Sequence, residues 1–295
     1  MATSTKGNVT GPGEVVAVHV PARSLRHDLR AIKIVLHREM LRFGNDRTRL
    51  LSSLVQPVLW LFVLGTGLGS LINRGPAVGV DYRTFVYPGV ISMTVITTAM
   101  FSAASIVWDR EFGFLREMLV APVSRGAIVI GKILGGALVA TSQGVIILAL
   151  AGLVHVPYSP SLILTLLGEM FLASLAITAF GVSLTAKIKN MQSFFGIMQM
   201  AIMPMIFLSG AMFPLSNLPG WLAVLTKINP LTYAVDPLRH AIFGHLSVSP
   251  QVVAQLNPGV SWFGWHVPVG LEIGLVAVIG VILTAFAIAQ FRRTE

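Results

Sequence analysis

Cysteine is absent from this sequence of 295 residues, and charged residues are scarce. Without cysteine, the chain has no disulfide, no thiolate metal site and no cysteine nucleophile. Charged residues make up 11% of the chain and hydrophobic residues 54%, whereas soluble domains carry about 25% charged residues. These proportions exclude a water-soluble protein and indicate an integral membrane protein.

Six long apolar runs account for the hydrophobic excess. About 20 consecutive apolar residues cross a bilayer core of about 30 Å as a helix, and each run has roughly this length. Small residues inside the runs suit close helix packing in lipid. We therefore predict an all-α integral membrane fold with six transmembrane helices, at residues 50–72, 85–107, 127–154, 162–186, 194–213 and 267–290.

Lys and Arg are distributed unevenly between the two sides of these helices. Seventeen of the 21 lie in residues 1–49, 108–132 and 186–193 or after residue 290, and four lie in the alternate loops. The positive-inside rule places the basic side in the cytosol. The first 49 residues show no apolar stretch with a cleavage site typical of a signal peptide. We predict a multi-pass protein of the bacterial plasma membrane with both termini cytosolic, a disordered tail at residues 1–21 and no nucleic-acid partner.

Residues 22–49, ahead of the first predicted span, have helical periodicity. Apolar residues recur every three or four positions, and basic residues surround them. Such an amphipathic helix lies at the membrane interface, with its apolar face at the acyl boundary and its basic face at the lipid headgroups. Two roles stay open for it, a plain membrane-surface anchor or an additional contact with a partner. The apolar positions are Leu25, Leu29, Ile32, Leu36, Met40 and Phe43.

A short charged segment separates the second and third predicted spans. It reads WDREFGFLREMLVAPVSR from Trp108 to Arg125. Phe114 and Met118 share one face at helical spacing, and the charged side chains lie on the other faces. A helix of this kind, lying flat at the cytosolic surface, presents its charges to a docking protein.

Proline interrupts the chain after the fifth predicted span. The two stretches involved read LSGAMFPLSNLPGW from Leu208 to Trp221 and NPLTYAVDPLR from Asn229 to Arg239. Proline breaks helices, and the Trp and Tyr side chains of these stretches suit a membrane interface. The residues alone leave two possibilities open, an interfacial loop with proline turns or a segment that re-enters the membrane.

These two regions and the six-span topology resemble the permeases of ABC-2 type exporters. The similarity extends from about residue 38 to the C-terminus and includes LSSLVQP, Leu51 to Pro57, at the entry to the first span. The resemblance implies a cytosolic coupling helix after the second span and an extracellular re-entrant helical segment between spans five and six. It assigns contact with an ATPase to Asp109, Arg110, Glu111, Phe112, Phe114, Arg116, Glu117, Pro122 and Arg125.

The same resemblance implies partners. A full transporter of this type contains two permeases, identical or paralogous, and two ATPase (nucleotide-binding) subunits, and it is surrounded by membrane lipids. Phe114 stands where many family members have threonine. In this respect the chain is similar to antibiotic and drug exporters of the daunorubicin-resistance type.

One glycine and lysine pattern comes close to a nucleotide-binding motif. Residues 126–133, GAIVIGKI, match G-x-x-x-x-G-K-[ST] except at the last position, where Ile133 offers no hydroxyl to Mg²⁺. The segment also begins a predicted span. We therefore expect no cofactor, no metal and no catalytic residue in this chain, and we assign ATP and Mg²⁺ to the separate ATPase. His240 and His245 lack the acidic residue of a zinc-binding helix.

Polar residues inside the predicted spans are candidates for a substrate pathway. Ionisable groups in a membrane are costly unless they are paired or hydrated, which singles out Glu169 and Glu272, both in the outer half of the membrane. Hydroxyl groups on span two form a stripe at helical spacing; helix packing and internal hydrogen bonding are the alternative role for such residues. Gly65 to Gly69 and Gly131 to Gly135 fit the G-x-x-x-G packing motif. The pathway candidates are Thr94, Thr98, Ser102, Ser105, Glu169, Gln199 and Ser209.

We predict a non-catalytic permease subunit of an ATP-driven exporter that moves an amphipathic antibiotic, drug or other hydrophobic compound. Export of a lipid or lipid-linked glycan is the alternative within the family, although only four Tyr are present and no ladder of aromatic residues is obvious. An ion-coupled secondary transporter is the alternative from another class. The inverted repeats and helices broken at the midplane that it requires are not detected in the sequence.

Overall fold

The computed structural model of the protein describes residues 25–72, 80–113, 123–185, 187–188, 190–215, 218–246, 251, 253, 256–262 and 264–294. The predicted tail at residues 1–21 lies outside these residues. Four predicted coupling residues, Phe114, Arg116, Glu117 and Pro122, also lie outside them.

Helices dominate the described part of the chain, which confirms the predicted all-α fold. The helices are α1 (Leu25–Asn45), α2 (Arg47–Leu59), α3 (Gly65–Ile72), α4 (Tyr82–Ser102), α5 (Ala104–Glu111), α6 (Arg125–Leu148), α7 (Pro160–Thr185), α8 (Met191–Leu208), α9 (Gly220–Ile228), α10 (Thr232–Phe243) and α11 (Val269–Thr294). A π-helical turn, Trp60–Leu64, joins α2 to α3, and a 3₁₀ turn covers Ala151–Val154. A two-residue antiparallel hairpin pairs Ser261–Trp262 (β1) with Trp265–His266 (β2).

Six helical stretches of the described chain are long and apolar enough to cross a membrane, which confirms the predicted number of spans. The third span is shorter than predicted because the chain leaves the helix after Leu148 and forms the 3₁₀ turn. The second is longer because α5 continues α4 past Ala103. The spans are Leu50–Ser70, Tyr82–Glu111, Arg125–Leu148, Pro160–Thr185, Met191–Leu208 and Val269–Arg292.

Polar caps explain why three spans begin two or three residues before their apolar runs. The side chain of Asp81 accepts a hydrogen bond from the backbone N–H of Arg83 at the start of α4. Ser124 caps α6 in the same way, and Asn190 caps α8. A capping oxygen satisfies an N–H group that has no partner within the helix, so the helix begins at the cap.

The second span forms the centre of the bundle. In its most apolar window 67% of the residues are buried, compared with 61% in the third span and 50% in the fourth. The first, fifth and sixth spans are buried to only 17%, 22% and 22%. These outer spans present most of their apolar surface to lipid or to another membrane chain.

The amphipathic helix α1 packs along the first half of the third span. A methyl group added to Gly131 would lie 2.9 Å from Cβ of Val35, and one added to Gly135 would lie 3.0 Å from Cβ of Glu39. The second G-x-x-x-G motif therefore brings α6 close to α1. One face of α1 is thus buried against protein, while Leu25, Leu29 and Ile34 stay exposed.

The segment between the fifth and sixth spans contains a pair of short helices. The pair is α9 and α10, and the chain breaks between them at Asn229, Pro230 and Leu231. The Asn229 side chain donates a hydrogen bond of 2.7 Å to the carbonyl oxygen of Met205 in α8, which fixes the break against the fifth span. Helix α10 is almost entirely buried and packs against spans two, four and six.

A buried arginine holds this outer segment against the second span. Arg239 donates a hydrogen bond of 2.6 Å from Nη2 to the carbonyl oxygen of Gly210, and its guanidinium lies 4.9 Å from the ring centre of Phe85. The backbone at Ala211 consequently approaches α4 so closely that only glycine fits at position 89, because a methyl group there would lie 1.9 Å from the Ala211 oxygen.

Candidate coupling site and adjoining cavity

Three consecutive charged residues end the second span, at the start of the predicted coupling segment (residues 108–125), and they point to different neighbours. The first, Asp109, is buried, and the other two are more exposed. Successive residues of a helix are about 100° apart around its axis, so three neighbours in sequence reach three directions. Each of them makes a contact with a different part of the cytosolic side.

Arg110 binds the end of the fourth span. Its Nη1 donates hydrogen bonds to the carbonyl oxygens of Thr185 at 2.9 Å and Ile188 at 2.8 Å. Thr185 is the last residue of α7, where the helix leaves carbonyl groups without partners and carries partial negative charge. The guanidinium of Arg110 donates hydrogen bonds to these carbonyl groups, and its positive charge opposes the partial negative charge of the helix end.

Glu111 binds the start of the fifth span with the opposite polarity. Its carboxylate accepts a hydrogen bond of 3.1 Å from the backbone N–H of Met191, the first residue of α8. Helix N-termini carry partial positive charge and favour anions. Arg110 and Glu111 together hold both ends of the short loop that joins spans four and five.

Residues at the other end of the coupling segment bind the sixth span and α1. Arg125 donates a hydrogen bond of 3.2 Å to the carbonyl oxygen of Phe291, in the last turn of α11. The backbone N–H of Ser124 donates a hydrogen bond of 3.0 Å to the carboxylate of Asp28 in α1. The described residues at both ends of the predicted coupling segment thus contact the ends of spans four, five and six and helix α1.

The buried carboxylate of Asp109 belongs to an ion cluster that connects three helices. Lys132 of α6 donates from Nζ to Asp109 at 2.6 Å, to Glu39 of α1 at 2.7 Å and to Ser105 of α5 at 3.0 Å. Arg38 adds contacts of 2.9 Å to Asp109 and 3.3 Å to Glu39. We call Arg38, Glu39, Ser105, Asp109 and Lys132 the ion cluster.

The charges of the ion cluster balance. Two cations face two carboxylates, which is the condition under which charged groups can be buried. Burial works against the charge of Arg38, but attraction to Asp109 and Glu39 outweighs it, and the pKa of Arg38 is raised above its usual value. The side chain of Lys132 is only 2% exposed, so its charge depends on these partners.

The nine predicted coupling residues therefore fall into four groups. Arg110, Glu111 and Arg125 contact helix ends of this same chain, and Asp109 is buried in the ion cluster. Phe112 is exposed and packs on Trp108, with ring centres 4.8 Å apart. The remaining four lie outside the described residues, and for all nine contact with an ATPase stays a prediction.

Sequence reasoning missed Arg38, Glu39 and Lys132. The available signal was a lysine inside an apolar run, because a charge in a membrane span needs a partner. Lys132 is the lysine of the near match to a nucleotide-binding motif. Because that motif is incomplete, it assigns no role to the residue. Nothing in the sequence pattern linked it to Glu39, 93 residues away.

A cavity of about 420 Å³ lies beside the ion cluster. Glu39 and Ser105 contribute to its wall, so the cavity and the ion cluster share two side chains. Its polar lining is completed by residues of α1 and the second span, and its apolar lining is largely aromatic. The principal lining residues are Glu39, Arg42, Phe43, Asp46, Phe101, Ser102, Ser105, Trp108 and Phe195.

A smaller hollow of about 80 Å³ lies next to this cavity, on the side of the first span. Phe43 and Phe101 line both spaces. Ser53 and Gln143, which are joined by a hydrogen bond of 2.6 Å, form part of its far wall. The two spaces make a pocket with aromatic walls and scattered polar groups, as small-molecule sites have.

Three of the predicted pathway residues lie at these spaces. Thr98 lines the smaller one, and Ser102 and Ser105 line the larger. Thr94 is buried and donates to the carbonyl oxygen of Val90 within its own helix. The hydroxyl stripe of the second span is thus divided, with its outer end buried and its cytosolic end at the cavity.

The other predicted pathway residues lie elsewhere. Gln199 is on the exposed side of the fifth span, and Ser209 is buried and hydrogen-bonded to the carbonyl oxygen of Ile206. Glu169 lines a small hollow that it shares with Tyr233 of α10. Glu272 is fully buried beside Asp236. The structure brings none of these four to the cytosolic cavity.

This combination of fold and site defines the class of the protein. It is a multi-pass helical membrane protein with a cavity among its spans and a segment between spans two and three whose flanking residues contact the ends of spans four, five and six. Such an arrangement is that of a transport permease and not of a simple membrane anchor.

The family follows from comparison with known proteins. Residues 30–243 match the ABC-2 type transporter family, and the chain belongs to this family. It is 30% identical to Nodulation protein J of Rhizobium meliloti over 83% of this chain and 86% of that protein. It is 28% identical to the putative transport permease ycf38 of Cyanophora paradoxa over 74% of this chain and 76% of that protein.

A third relative carries a more specific name. The probable multidrug ABC transporter permease YbhR of Escherichia coli is 35% identical to this chain over 158 residues. The aligned part covers 53% of this chain and 43% of that permease.

Proposed function

We propose that this permease exports an amphipathic aromatic compound, such as an antibiotic or drug, with energy from a separate ATPase. The observation that carries the proposal is the cavity of about 420 Å³ at the cytosolic ends of spans two, three and five. Trp108, Phe101 and Phe195 offer aromatic surface, and Glu39 and Arg42 offer charges of both signs. A planar amphiphile with a charged substituent satisfies both kinds of wall.

Energy coupling is the second part of the proposal. The ATPase is expected to push on the segment around residues 112–123, which joins spans two and three. Contacts of Arg110, Glu111 and Arg125 with spans four, five and six support this role, because a displacement of the segment is passed directly to those helix ends. Family membership supports an ABC ATPase as the partner.

The proposed assembly contains two permeases and two ATPase subunits in the bacterial plasma membrane, with both permease termini cytosolic. Low burial of the first and fifth spans supports a second permease, identical or paralogous, as a neighbour. The excess of Lys and Arg in residues 1–49, 108–132 and 186–193 and after residue 290 supports the orientation.

The substrate class is supported by the name of one relative, the probable multidrug permease YbhR. Other relatives are named more generally, so lipid or lipid-linked glycan export is the competing substrate class. Drugs and lipid-linked glycans differ in the space that they need at the cavity, so stimulation of ATP hydrolysis by each compound distinguishes the two substrate classes.

The test is purification of the tagged permease with its ATPase, followed by ATP hydrolysis and transport in lipid vesicles. We expect hydrolysis to rise with daunorubicin and the drug to move only when ATP is present. A complex with an ATPase mutated in its own catalytic site provides the control. A partner ATPase that ignores the drug but responds to a lipid-linked glycan would replace the substrate class. Transport driven by an ion gradient without any ATPase would overturn the proposal.

A further inference from the structure

Lys132, the lysine of the near match to a nucleotide-binding motif, is the centre of the ion cluster. Its ammonium group has three N–H donors, and three oxygen atoms lie within 3.0 Å of it, on Glu39, Asp109 and Ser105. These acceptors come from α1 and α5, which also contact each other through the ion pair of Arg38 and Asp109. Lys132 lies seven residues into α6, about 10 Å from the start of the helix at 1.5 Å per residue.

The partners of Lys132 belong to two different surroundings. Asp109 precedes Arg110 and Glu111, which hold the helix ends of spans four and five. Glu39 and Ser105 form part of the cavity wall. The ammonium group of Lys132 therefore binds both Asp109, at the start of the coupling segment, and Glu39 and Ser105, in the cavity wall.

We propose that Lys132 is a positioning residue that locks α1 to α5 and α6, the two helices that flank the coupling segment. We also propose that a compound bound in the cavity shifts the coupling segment through the contacts of Lys132 with Glu39 and Ser105. The second half of the proposal rests on the proposed function of the cavity. The first half does not, because the lock holds whatever the cavity binds.

Geometry supports a rigid lock. Gly131 and Gly135 let α1 approach α6 closely on the same face as Lys132, so the ionic contacts are reinforced by backbone packing on both sides. Lys132 and Asp109 are buried. A buried ion pair keeps its geometry because separating the two groups would leave a buried charge without a partner.

The first measurement reports on the lock without any substrate. The chain has no cysteine, so Leu41→Cys on α1 and Phe112→Cys beside the coupling segment can carry two spin labels on an otherwise unchanged permease. Both positions are exposed. The distance between the labels is measured in the full complex with its ATPase, with and without trapped Mg-ATP and vanadate.

With Lys132 present, we expect one narrow distance distribution that is the same in both nucleotide states. In Lys132→Met it should broaden. The double variant Glu39→Gln with Lys132→Met leaves Arg38 paired with Asp109, so that it retains charge balance if the single variant fails to fold. Lys33→Met removes an exposed lysine of α1; it is the control and should behave like the original chain.

The second measurement reports on communication with the cavity. Daunorubicin binding should persist in Lys132→Met, while drug stimulation of ATP hydrolysis should fall roughly fivefold or more, in the range of coupling between two sites. Lys132→Arg restores the charge and should recover part of the stimulation, which a purely structural defect would not explain.

The outcomes separate the two proposals. Identical label distances in the original chain and in both Lys132 variants would overturn the lock. A broadened distribution with unchanged drug stimulation would retain the lock and overturn the link to the cavity. If the original complex does not respond to daunorubicin, the proposed substrate class and this link fail together, whereas the distance measurement still decides on the lock.

Discussion

The guanidinium of Arg110 donates a hydrogen bond of 2.9 Å to the carbonyl oxygen of Thr185, the last residue of α7. This contact joins the cytosolic end of the second span to that of the fourth across 75 positions of sequence. The residue that follows, Glu111, makes the equivalent contact with the fifth span. The ends of spans two, four and five are therefore tied together at the point where the predicted coupling segment begins.

Replacing Arg110 by Met should weaken this junction. Hydrogen bonds to charged groups contribute about 1.5–3 kcal/mol, and we expect a loss of stability near the lower end because Arg110 is only half-buried. Thermal unfolding of the purified permease measures the loss, and hydrogen exchange at residues 187–191 locates it. Arg30→Met, an exposed arginine of α1, is the control. Equal exchange in both variants would show that Arg110 does not hold the loop.

Adding one methyl group at Gly89 should disrupt the outer segment. The added carbon would lie 1.9 Å from the backbone oxygen of Ala211, and overpacking of this kind costs about 1–3 kcal/mol or more. We expect a lower unfolding temperature and a lower yield of Gly89→Ala. Gly168→Ala is the matched control, because nothing lies within 4 Å of the added carbon. A Gly89→Ala protein as stable as this control would contradict the close approach.

Phe195 tests the aromatic wall of the cavity. Its ring lies 5.6 Å from that of Phe101, and aromatic pairs contribute about 0.5–1.5 kcal/mol beyond their buried area. Phe195→Ala should therefore weaken daunorubicin binding by roughly 3- to 10-fold, measured by fluorescence titration in detergent. Phe286→Ala removes an exposed ring of the sixth span and should leave binding unchanged. Equal affinities of the two variants would place the drug elsewhere.

The orientation of the chain can be read with single cysteines. The excess of basic residues predicts that Lys187, in the loop between spans four and five, faces the cytosol. Lys187→Cys should then react with an impermeant maleimide only in inverted vesicles, and Trp265→Cys, on the hairpin before the sixth span, only in right-side-out cells. Both positions are exposed, and the original chain without cysteine gives the background. The reverse labelling pattern would invert the topology.

The local sequence was sufficient to predict the number of membrane spans. Each spanning helix must satisfy its own backbone hydrogen bonds in lipid and needs about 20 apolar residues. The number of spans was therefore predicted correctly, and three of the boundary differences arise at capping residues, as at Ser124 and Asn190. The break between α9 and α10 also follows from local chemistry, since Pro230 cannot continue a helix.

Contacts between distant residues were decided only by the tertiary structure. Sequence placed Arg110 and Glu111 in a charged surface segment, but whether they face an outside partner or the ends of α7 and α8 depends on how the helices assemble. For the same reason Lys132 could be recognised as unusual and not as the partner of Glu39.

The sequence by itself determined that this protein spans a membrane six times and belongs with transport permeases, because hydrophobic length, charge asymmetry and proline are local properties of the chain. Only the tertiary structure decided which charges are buried together and where a cavity opens. Those features depend on the packing of helices far apart in sequence, where a pair such as Glu39 and Lys132 meets only because two glycines of α6 let α1 come close.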